Sequence, residues 1–389
     1  MFIKRYKIIL INDTTTLYGG AETYMFSLKR LLEEMECQVE VIGSSGQVSL
    51  KNSFFSRWYS RKYFNIVNKT INDFKPDIIH VQSFSRVLSP SILVAADFFN
   101  IPVIQTVHDY HYICPKLWMI NDKNEVIREH SSFTDCLFHH LPKNNLVYSF
   151  FQATKAEYHK RFLNKYVDHF ICPSKDLADW YSERYGADKV TYLPNFVDVT
   201  PSNVISSSNT DKLLYVGRLS KEKGIDLLIT ALPIVLKKYP NINLTIIGSG
   251  SEQDFLVRLC KKLNVSDKVS FIGKTNNNDL KKYYQKATAI VIPSIWIENC
   301  PMVALEAIRA ERPIIASGAG GLKDIIKDKF NGLLFERGND KDLADKLITL
   351  LSDKQLIRNL SKNQKKISYK YEGQYHYNNI IKLYEKLIQ

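Results

Sequence analysis

Long apolar runs and regularly spaced cysteines are both missing from this chain of 389 residues. No stretch approaches the roughly eighteen uninterrupted apolar residues of a membrane-spanning helix, so we expect none of the chain to cross a membrane. The apolar run KIILI (7–11) stops at Asn12 and is interpreted as a first strand, not a signal peptide. The six cysteines show no regular spacing, which favours reduced thiols and a cytoplasmic location, with the inner membrane face left open.

Several familiar ligand-binding signatures are absent as well. No strand-to-helix turn fits GxGxxG or the P-loop, which removes support for dinucleotide oxidoreductases and NTPases. No DxD-type sequence is placed to hold a metal-bound diphosphate, and no nucleic-acid recognition module is found. The segment 110–150 contains Cys114, Cys136, His139 and His140. Their spacing lacks the short pairs of a zinc site, so we expect an acceptor-side insertion there and no metal site.

Short apolar runs alternate with helical patterns in two sets. The first set of predicted strands is 7–11, 39–43, 77–81, 102–108 and 168–174, and the second is 212–218, 243–248, 269–273, 289–294 and 313–317. Such alternation predicts parallel sheets with right-handed crossovers. Between the sets, Pro, Asn and Ser cluster in 194–212.

The length of the chain and this break predict two domains. We place an N-terminal domain at 1–195, a linker at 196–211 and a C-terminal domain at 212–373. The fold class is therefore α/β, with two doubly wound, Rossmann-like domains facing each other across a ligand-binding cleft.

The net charge of +13 is unevenly distributed. No acidic residue occurs from 41 to 72, and basic and aromatic residues interleave in 51–69; the region 354–389 is also basic. This mixture suits an anionic membrane surface. It would also suit single-stranded nucleic acid, which we do not expect as a partner because no recognition module is present. A solvated helix whose aromatic residues face the core is equally consistent with the sequence.

The segment ENCPMVALE contains two glutamates, Glu298 and Glu306, around the start of a predicted helix with Pro301 at its first position. Eight helical positions bring two side chains to within about 80° of each other. A helix N-terminus offers free N–H groups to a phosphate, so carboxylates there suit hydroxyl groups. The combination describes a nucleotide sugar, although two surface glutamates on an ordinary helix would produce the same pattern.

Three strand-to-helix turns are candidates for phosphate binding. Gly19 and Gly20 precede the first predicted helix and allow close backbone approach. In GRLSKEKG, Arg218 ends a predicted strand and Lys223 precedes the next helix. Two cations in one turn are able to neutralise a departing diphosphate. Gly248 ends a further predicted strand and again permits close approach.

An ordered set of motifs extends over nearly the whole chain: GGAE, Pro194-Asn195, GRLSKEKG, the PS before Glu298, the glutamate pair and ASGAGG (316–321). This set resembles the retaining glycosyltransferases of family four, which have the two-domain GT-B architecture. The resemblance implies a nucleoside-diphosphate sugar as co-substrate and no other cofactor. It implies that Arg218 and Lys223 hold the diphosphate, that Glu306 binds the ribose hydroxyls, and that Glu298 and the amides of Met302 and Val303 bind the transferred sugar.

The resemblance also assigns residues outside this helix. The base would pack near Ile272 and Gly273, and Gly20 would touch the diphosphate from the first domain. His108 would lie beside the transferred sugar, and the last helix, 374–389, would cross back to the first domain. We therefore expect metal-independent, retaining transfer to a bacterial cell-surface glycan precursor, such as lipopolysaccharide, capsule or another lipid-linked saccharide. The alternatives are a sucrose-synthase-like activity and a sugar-nucleotide-binding homologue without turnover.

Overall fold

The structure, a computed structural model, describes residues 5–16, 19–45, 58–112, 146–197 and 212–389. The chain divides into two compact units. Unit 1 comprises Met1–Asn195 together with Gly373–Gln389, and unit 2 comprises Phe196–Glu372.

Twelve strands form the two sheets of the described residues. They are β1 (Lys7–Thr14), β2 (Gln38–Ser44), β3 (Ile78–Val81), β4 (Val103–Thr106), β5 (His169–Cys172), β6 (Val190–Tyr192), β7 (Lys212–Val216), β8 (Asn243–Ile247), β9 (Val269–Gly273), β10 (Ala289–Ile292), β11 (Ile314–Ser317) and β12 (Gly332–Phe335).

The helices of the described residues alternate with these strands. They are α1 (Gly20–Glu34), α2 (Arg61–Phe74), α3 (Ser91–Phe98), α4 (Leu146–Tyr166), α5 (Lys175–Tyr185), α6 (Ile225–Leu236), α7 (Gln253–Lys262), α8 (Asn277–Lys286), α9 (Met302–Arg309), α10 (Leu322–Ile325), α11 (Asp340–Ser352), α12 (Lys354–Ile367) and α13 (Gly373–Ile388). In the part of the chain that the structure describes, none of them has the length and apolar character needed to cross a membrane.

Unit 1 is built on a parallel sheet with the order β2-β1-β3-β4-β5-β6. Its first five strands follow the flavodoxin-like order. The interior strands β3, β4 and β5 are buried at every residue because helices cover both faces of a doubly wound sheet. Helix α13 completes this unit: its His376 Nε2 lies 2.7 Å from the Tyr24 hydroxyl, and its Tyr384 hydroxyl lies 2.6 Å from His80 Nδ1.

Unit 2 is built on a second parallel sheet, with the order β12-β11-β10-β7-β8-β9. The first three strands of the unit extend to one side and the next three to the other, which is the order of dinucleotide-binding Rossmann domains. The predicted fold class, two Rossmann-like α/β domains with parallel sheets, is confirmed.

The boundaries of several elements differ from the sequence predictions. Strand β4 ends at Thr106 and β7 at Val216, so His108 and Arg218 lie in the following loops and do not end strands. After β7 the backbone leaves the ladder, and Leu219 N–H donates to Ser249 O in the loop after β8. The sequence shows helical spacing at 324–328, where the structure has the four-residue α10, Leu322–Ile325. The edge strands β6 and β12 were not predicted.

Pro301 is not the first helical residue. Its ψ of 120° is extended, so it is the N-cap that flanks α9, and Met302 begins the helix. An N-cap residue has non-helical backbone angles, and proline, whose φ is fixed near −65°, fits this position.

Candidate functional site

The strand order of unit 2 reverses between β7 and β10, and the loops that follow these two strands meet there. In doubly wound sheets such a crossover point is where ligands bind. The close approach depends on Gly224, whose φ is 63°. A Cβ at Gly224 would lie 2.2 Å from the carbonyl oxygen of Pro293, so only glycine permits the contact. Ile295 N–H then donates to Glu222 O at 3.0 Å and joins the loops.

Lys223 and Glu298 form an ion pair across these two loops. Lys223 Nζ lies 2.7 Å from Glu298 Oε1, and Ser294 Oγ donates to the same oxygen at 2.6 Å. The side chains are 17% and 6% exposed. Burial raises the pKa of Glu298, but the charge and hydrogen bond of Lys223, with the Ser294 hydroxyl, outweigh it and hold the pKa below its ordinary value. Glu298 is therefore an ionised carboxylate in a largely dry site.

The ASGAGG loop after β11 fixes the backbone of Glu298. Gly321 N–H donates to Glu298 O at 2.7 Å. A Cβ on Gly320 would lie 2.5 Å from the same carbonyl oxygen, and Gly320 has a φ of 56°. The glycines of this loop therefore allow the close packing that holds Glu298 in place.

Arg218 lies at the exposed side of the same loop. Its side chain is 65% exposed, and its Nη2 is 3.9 Å from Glu222 Oε1. Glu222 is buried and also accepts a hydrogen bond of 2.6 Å from Ser220 Oγ. The structure thus places a half-buried cation, Lys223, and two exposed cations, Arg218 and Lys221, on the loop after β7.

Glu306 lies in the second turn of α9 and has a partner of its own. The Tyr284 hydroxyl donates to Glu306 Oε2 at 2.6 Å. Burial raises the pKa of Glu306 above its ordinary value of 4.5, and the Tyr284 hydrogen bond opposes that rise. Met302 and Val303 form the first turn of α9, where backbone N–H groups have no acceptor within the helix.

The remaining predicted residues of unit 2 lie at the carboxyl ends of β8 and β9. A Cβ at Gly248 would lie 1.9 Å from Gly217 O, so packing between two loops already requires this glycine. Gly273 has a φ of 76° with open space at its Cβ position, and Ile272 is 42% exposed. These two residues leave a surface for a flat apolar group.

In unit 1, the predicted residues follow β1 and β4. Gly19 is the N-cap of α1 and Gly20 its first residue, and both are exposed. His108 Nε2 lies 2.7 Å from Gln82 Oε1, and its ring packs edge-on against Tyr24 at 5.1 Å. Burial lowers the pKa of His108 to about 3. The imidazole is therefore neutral at physiological pH, a hydrogen-bonding group and not a cation.

Several residues that contact the predicted ones were not selected from the sequence, among them Gln82, Tyr284, Ser294 and Gly320. Ser294 and Gly320 lie in motifs that the sequence did provide, PS and ASGAGG. Gln82 and Tyr284 lie in ordinary-looking segments and give no signal of their own.

Among the described residues, no group of three or more His, Cys, Asp or Glu side chains could hold a metal ion. The candidates Cys114, Cys136, His139 and His140 lie outside the described residues.

Family profiles match both units of the chain. The profile described as Glycosyltransferase Family 4 matches residues 18–200, and the profile described as Glycosyl transferases group 1 matches 201–367. An uncharacterized glycosyltransferase of Methanocaldococcus jannaschii is 41% identical over 170 residues, 44% of this chain and 42% of that protein. With two further curated glycosyltransferases, the matched region spans 61% and 64% of the relative's length.

Solved structures share the fold over the full length. Anabaena HepE in complex with UDP and glucose superposes with a TM-score of 0.71 at 19% identity, covering 98% of this chain and 100% of that one. Sucrose-phosphate synthase from Thermosynechococcus elongatus gives a TM-score of 0.73 at 19% identity, covering 98% and 99%. The two profiles, which between them extend over residues 18–367, show that the chain belongs to the family-four glycosyltransferases.

Proposed function

We propose that this protein transfers a sugar, with retention of anomeric configuration, from a nucleoside diphosphate to a cell-surface glycan precursor. The observation that carries the proposal is the Lys223–Glu298 ion pair at the crossover point of unit 2. Lys223 and Arg218 are the cations for the diphosphate, and Glu298 is the acceptor for hydroxyls of the transferred sugar. The carboxylate of Glu306 and the open first turn of α9 complete the donor site.

The donor class is supported by the solved relatives. HepE was crystallised with UDP and with UDP-glucose, which supports a uridine diphosphate sugar as the first donor to test. Ile272 and Gly273 leave room for a base, because Ile272 is exposed and the Cβ position of Gly273 faces open space.

The proposed chemistry needs no covalent enzyme intermediate. The bond from the anomeric carbon to the phosphate oxygen breaks, and the acceptor oxygen bonds to the same face of that carbon. The acceptor proton passes to the departing phosphate oxygen. Arg218 and Lys223 neutralise the charge on the diphosphate in place of a metal ion. Glu298 is engaged by Lys223 and Ser294, which supports a binding role over a nucleophilic one. NMR of the anomeric proton of the product tests retention.

The donor site is tested by thermal shift with UDP, GDP, ADP and CDP sugars on the wild type, Glu306→Ala and the control Glu311→Ala. A ligand at about 100 times its Kd stabilises the folded state by roughly 2.7 kcal/mol. We expect one nucleotide to stabilise the wild type and the control but not Glu306→Ala. Equal stabilisation of all three proteins would overturn the assignment of Glu306. A shift without transfer to any acceptor in a membrane extract would identify a binding homologue without turnover.

For the acceptor we propose a lipid-linked saccharide that the protein binds at the inner membrane face. In α2, Tyr63 packs into the core while Arg61, Lys62 and Lys69 are exposed, together with Ile66 and the preceding Tyr59. The helix therefore presents a basic surface with two apolar side chains, which suits an anionic bilayer. Residues 51–57 of the predicted patch lie outside the described residues.

Vesicle co-sedimentation tests this surface. Wild type should bind vesicles with 30% phosphatidylglycerol but not neutral vesicles, and Arg61→Glu/Lys62→Glu/Lys69→Glu should abolish binding, since each basic residue contributes about 1 kcal/mol. A matched control reverses three exposed lysines of unit 2: Lys237→Glu/Lys261→Glu/Lys262→Glu. Equal loss in both variants would contradict a dedicated surface.

A further inference from the structure

The hydroxyl of Tyr284 is the partner of Glu306, and Tyr284 belongs to a different element. Tyr284 lies near the end of α8, is 4% exposed, and packs in the apolar cluster beneath β10 and β11 with Ala287 and Leu305. Its ring is therefore fixed by the core, and only its hydroxyl reaches a polar atom, Glu306 Oε2 at 2.6 Å. A phenol O–H donates and a carboxylate oxygen accepts, so the direction of this bond is unambiguous.

This hydrogen bond matters because Glu306 is a half-buried carboxyl group. Burial favours the protonated form, and the Tyr284 hydroxyl favours the ionised one. An ionised carboxylate accepts hydrogen bonds at both oxygens, whereas a protonated one loses part of that capacity. With Oε2 held by Tyr284, the carboxylate has one orientation, and its remaining lone pairs face a fixed direction.

We propose that Tyr284 is a positioning residue that keeps Glu306 oriented to bind the two adjacent ribose hydroxyls of the donor. This inference rests on the proposed function, in which Glu306 binds ribose. By this inference, the hydrogen bond between α8 and α9 allows the site to distinguish ribonucleotide donors from 2′-deoxyribonucleotide donors. A carboxylate that rotates freely would still contact one hydroxyl but would lose the paired contact with both.

The chain offers a matched control beside Tyr284. Tyr283 precedes it in the same helix, is half-buried, and its hydroxyl makes no hydrogen bond with the described residues. Tyr284→Phe and Tyr283→Phe each remove one hydroxyl and keep the ring in the same packing. Any difference between the two variants therefore reports on the bond to Glu306.

The experiment is calorimetric titration of UDP and 2′-deoxy-UDP into the wild type, Tyr284→Phe, Tyr283→Phe and Glu306→Gln, with GDP, ADP and CDP in turn if UDP does not bind. We expect Tyr284→Phe to weaken UDP binding about tenfold, the size typical of a hydrogen bond to a charged group, and Tyr283→Phe to change it less than twofold. The preference of the wild type for UDP over 2′-deoxy-UDP should shrink in Tyr284→Phe.

Two further comparisons distinguish an effect of Tyr284 through Glu306 from an effect on packing. In the Glu306→Gln background, Tyr284→Phe should have little additional effect on affinity, because the two residues act through one bond. The same tenfold loss in that background would mean that Tyr284 acts on packing, and it would overturn the inference, as would wild-type affinity in Tyr284→Phe. If Glu306→Gln itself binds UDP like the wild type, the proposed donor site fails, and this inference fails with it.

Discussion

The crossover points of the two sheets each contain a buried carboxylate, but the two are held in different ways. In unit 1, Asp13 accepts hydrogen bonds from the backbone N–H groups of Arg86, Val87 and Leu88 and from the Ser83 hydroxyl, at 2.8–3.0 Å. In unit 2, Glu298 is held by two side chains, Lys223 and Ser294. Backbone amides cannot leave without distorting the loop, whereas a lysine side chain can turn toward a ligand. Asp13 therefore stabilises the loop that surrounds it. The Lys223–Glu298 ion pair, in contrast, remains able to contact a bound ligand.

Removing the carboxylate of unit 1 tests whether Asp13 is structural. Asp13→Ala leaves three backbone N–H groups and a hydroxyl without their acceptor. Two of the N–H groups, those of Val87 and Leu88, belong to buried residues. At about 1–3 kcal/mol for each buried unpaired group, the free energy of unfolding should fall by about 4 kcal/mol. Urea unfolding measures the loss, and Asp97→Ala, at an exposed position of α3, is the control. Nucleotide binding by the folded fraction should stay unchanged; a parallel fall in affinity would argue that both carboxylates serve the ligand.

The second test removes the lysine of unit 2. Lys223→Met takes away a cation for the diphosphate and should lower kcat/KM about a hundredfold or more, as expected for a preorganised electrostatic contact. It also leaves Glu298 buried without its charge partner, which should cost about 3 kcal/mol of stability. The neighbouring Lys221 is exposed, so Lys221→Met should stay within about twofold of wild type. Similar losses for both variants would show only that the loop needs positive charge.

A third test uses pH to compare the charge of Glu306 in unit 2 with that of His108 in unit 1. The pKa of Glu306 is raised by burial, so its carboxyl protonates above the ordinary 4.5 as the pH falls. Donor affinity should be complete well above that pKa and fall by up to about tenfold per pH unit below it. Glu306→Gln should flatten this dependence. In unit 1, the pKa of His108 is about 3, so its ring resonances should not move between pH 8 and 5. A titration of His108 in that range would contradict the neutral imidazole described for unit 1.

Much of the fold could be predicted from the sequence, because ten of the strands are apolar runs bounded by turns. The two edge strands that were missed have only three and four residues, VTY and GLLF. Such runs are too short to show a period, and pairing with a neighbour makes them strands. Pro301 was placed one position too far into the helix because proline suits both the N-cap and the first turn.

The site was only partly predictable, for a different physical reason. Lys223 and Glu298 were both selected, but their pairing depends on β7 lying next to β10. The order of strands in a sheet cannot be predicted from local sequence patterns. Tyr284 could not be chosen over Tyr283 in KKYYQKA, because the choice depends on which ring faces α9. Gln82 directly follows β3, and it becomes notable only when His108, in the loop after the neighbouring β4, is brought beside it.

The return of α13 to unit 1 has a consequence for the order of events during synthesis. Unit 2 is encoded by one uninterrupted stretch, Phe196–Glu372, and has all its parts once that stretch has left the ribosome. Unit 1 begins to emerge first but has to wait for Gly373–Gln389, because His80 and Tyr24 have their partners on that helix. Although domains usually fold in the order in which they are made, here the second domain is able to mature while the first is still incomplete.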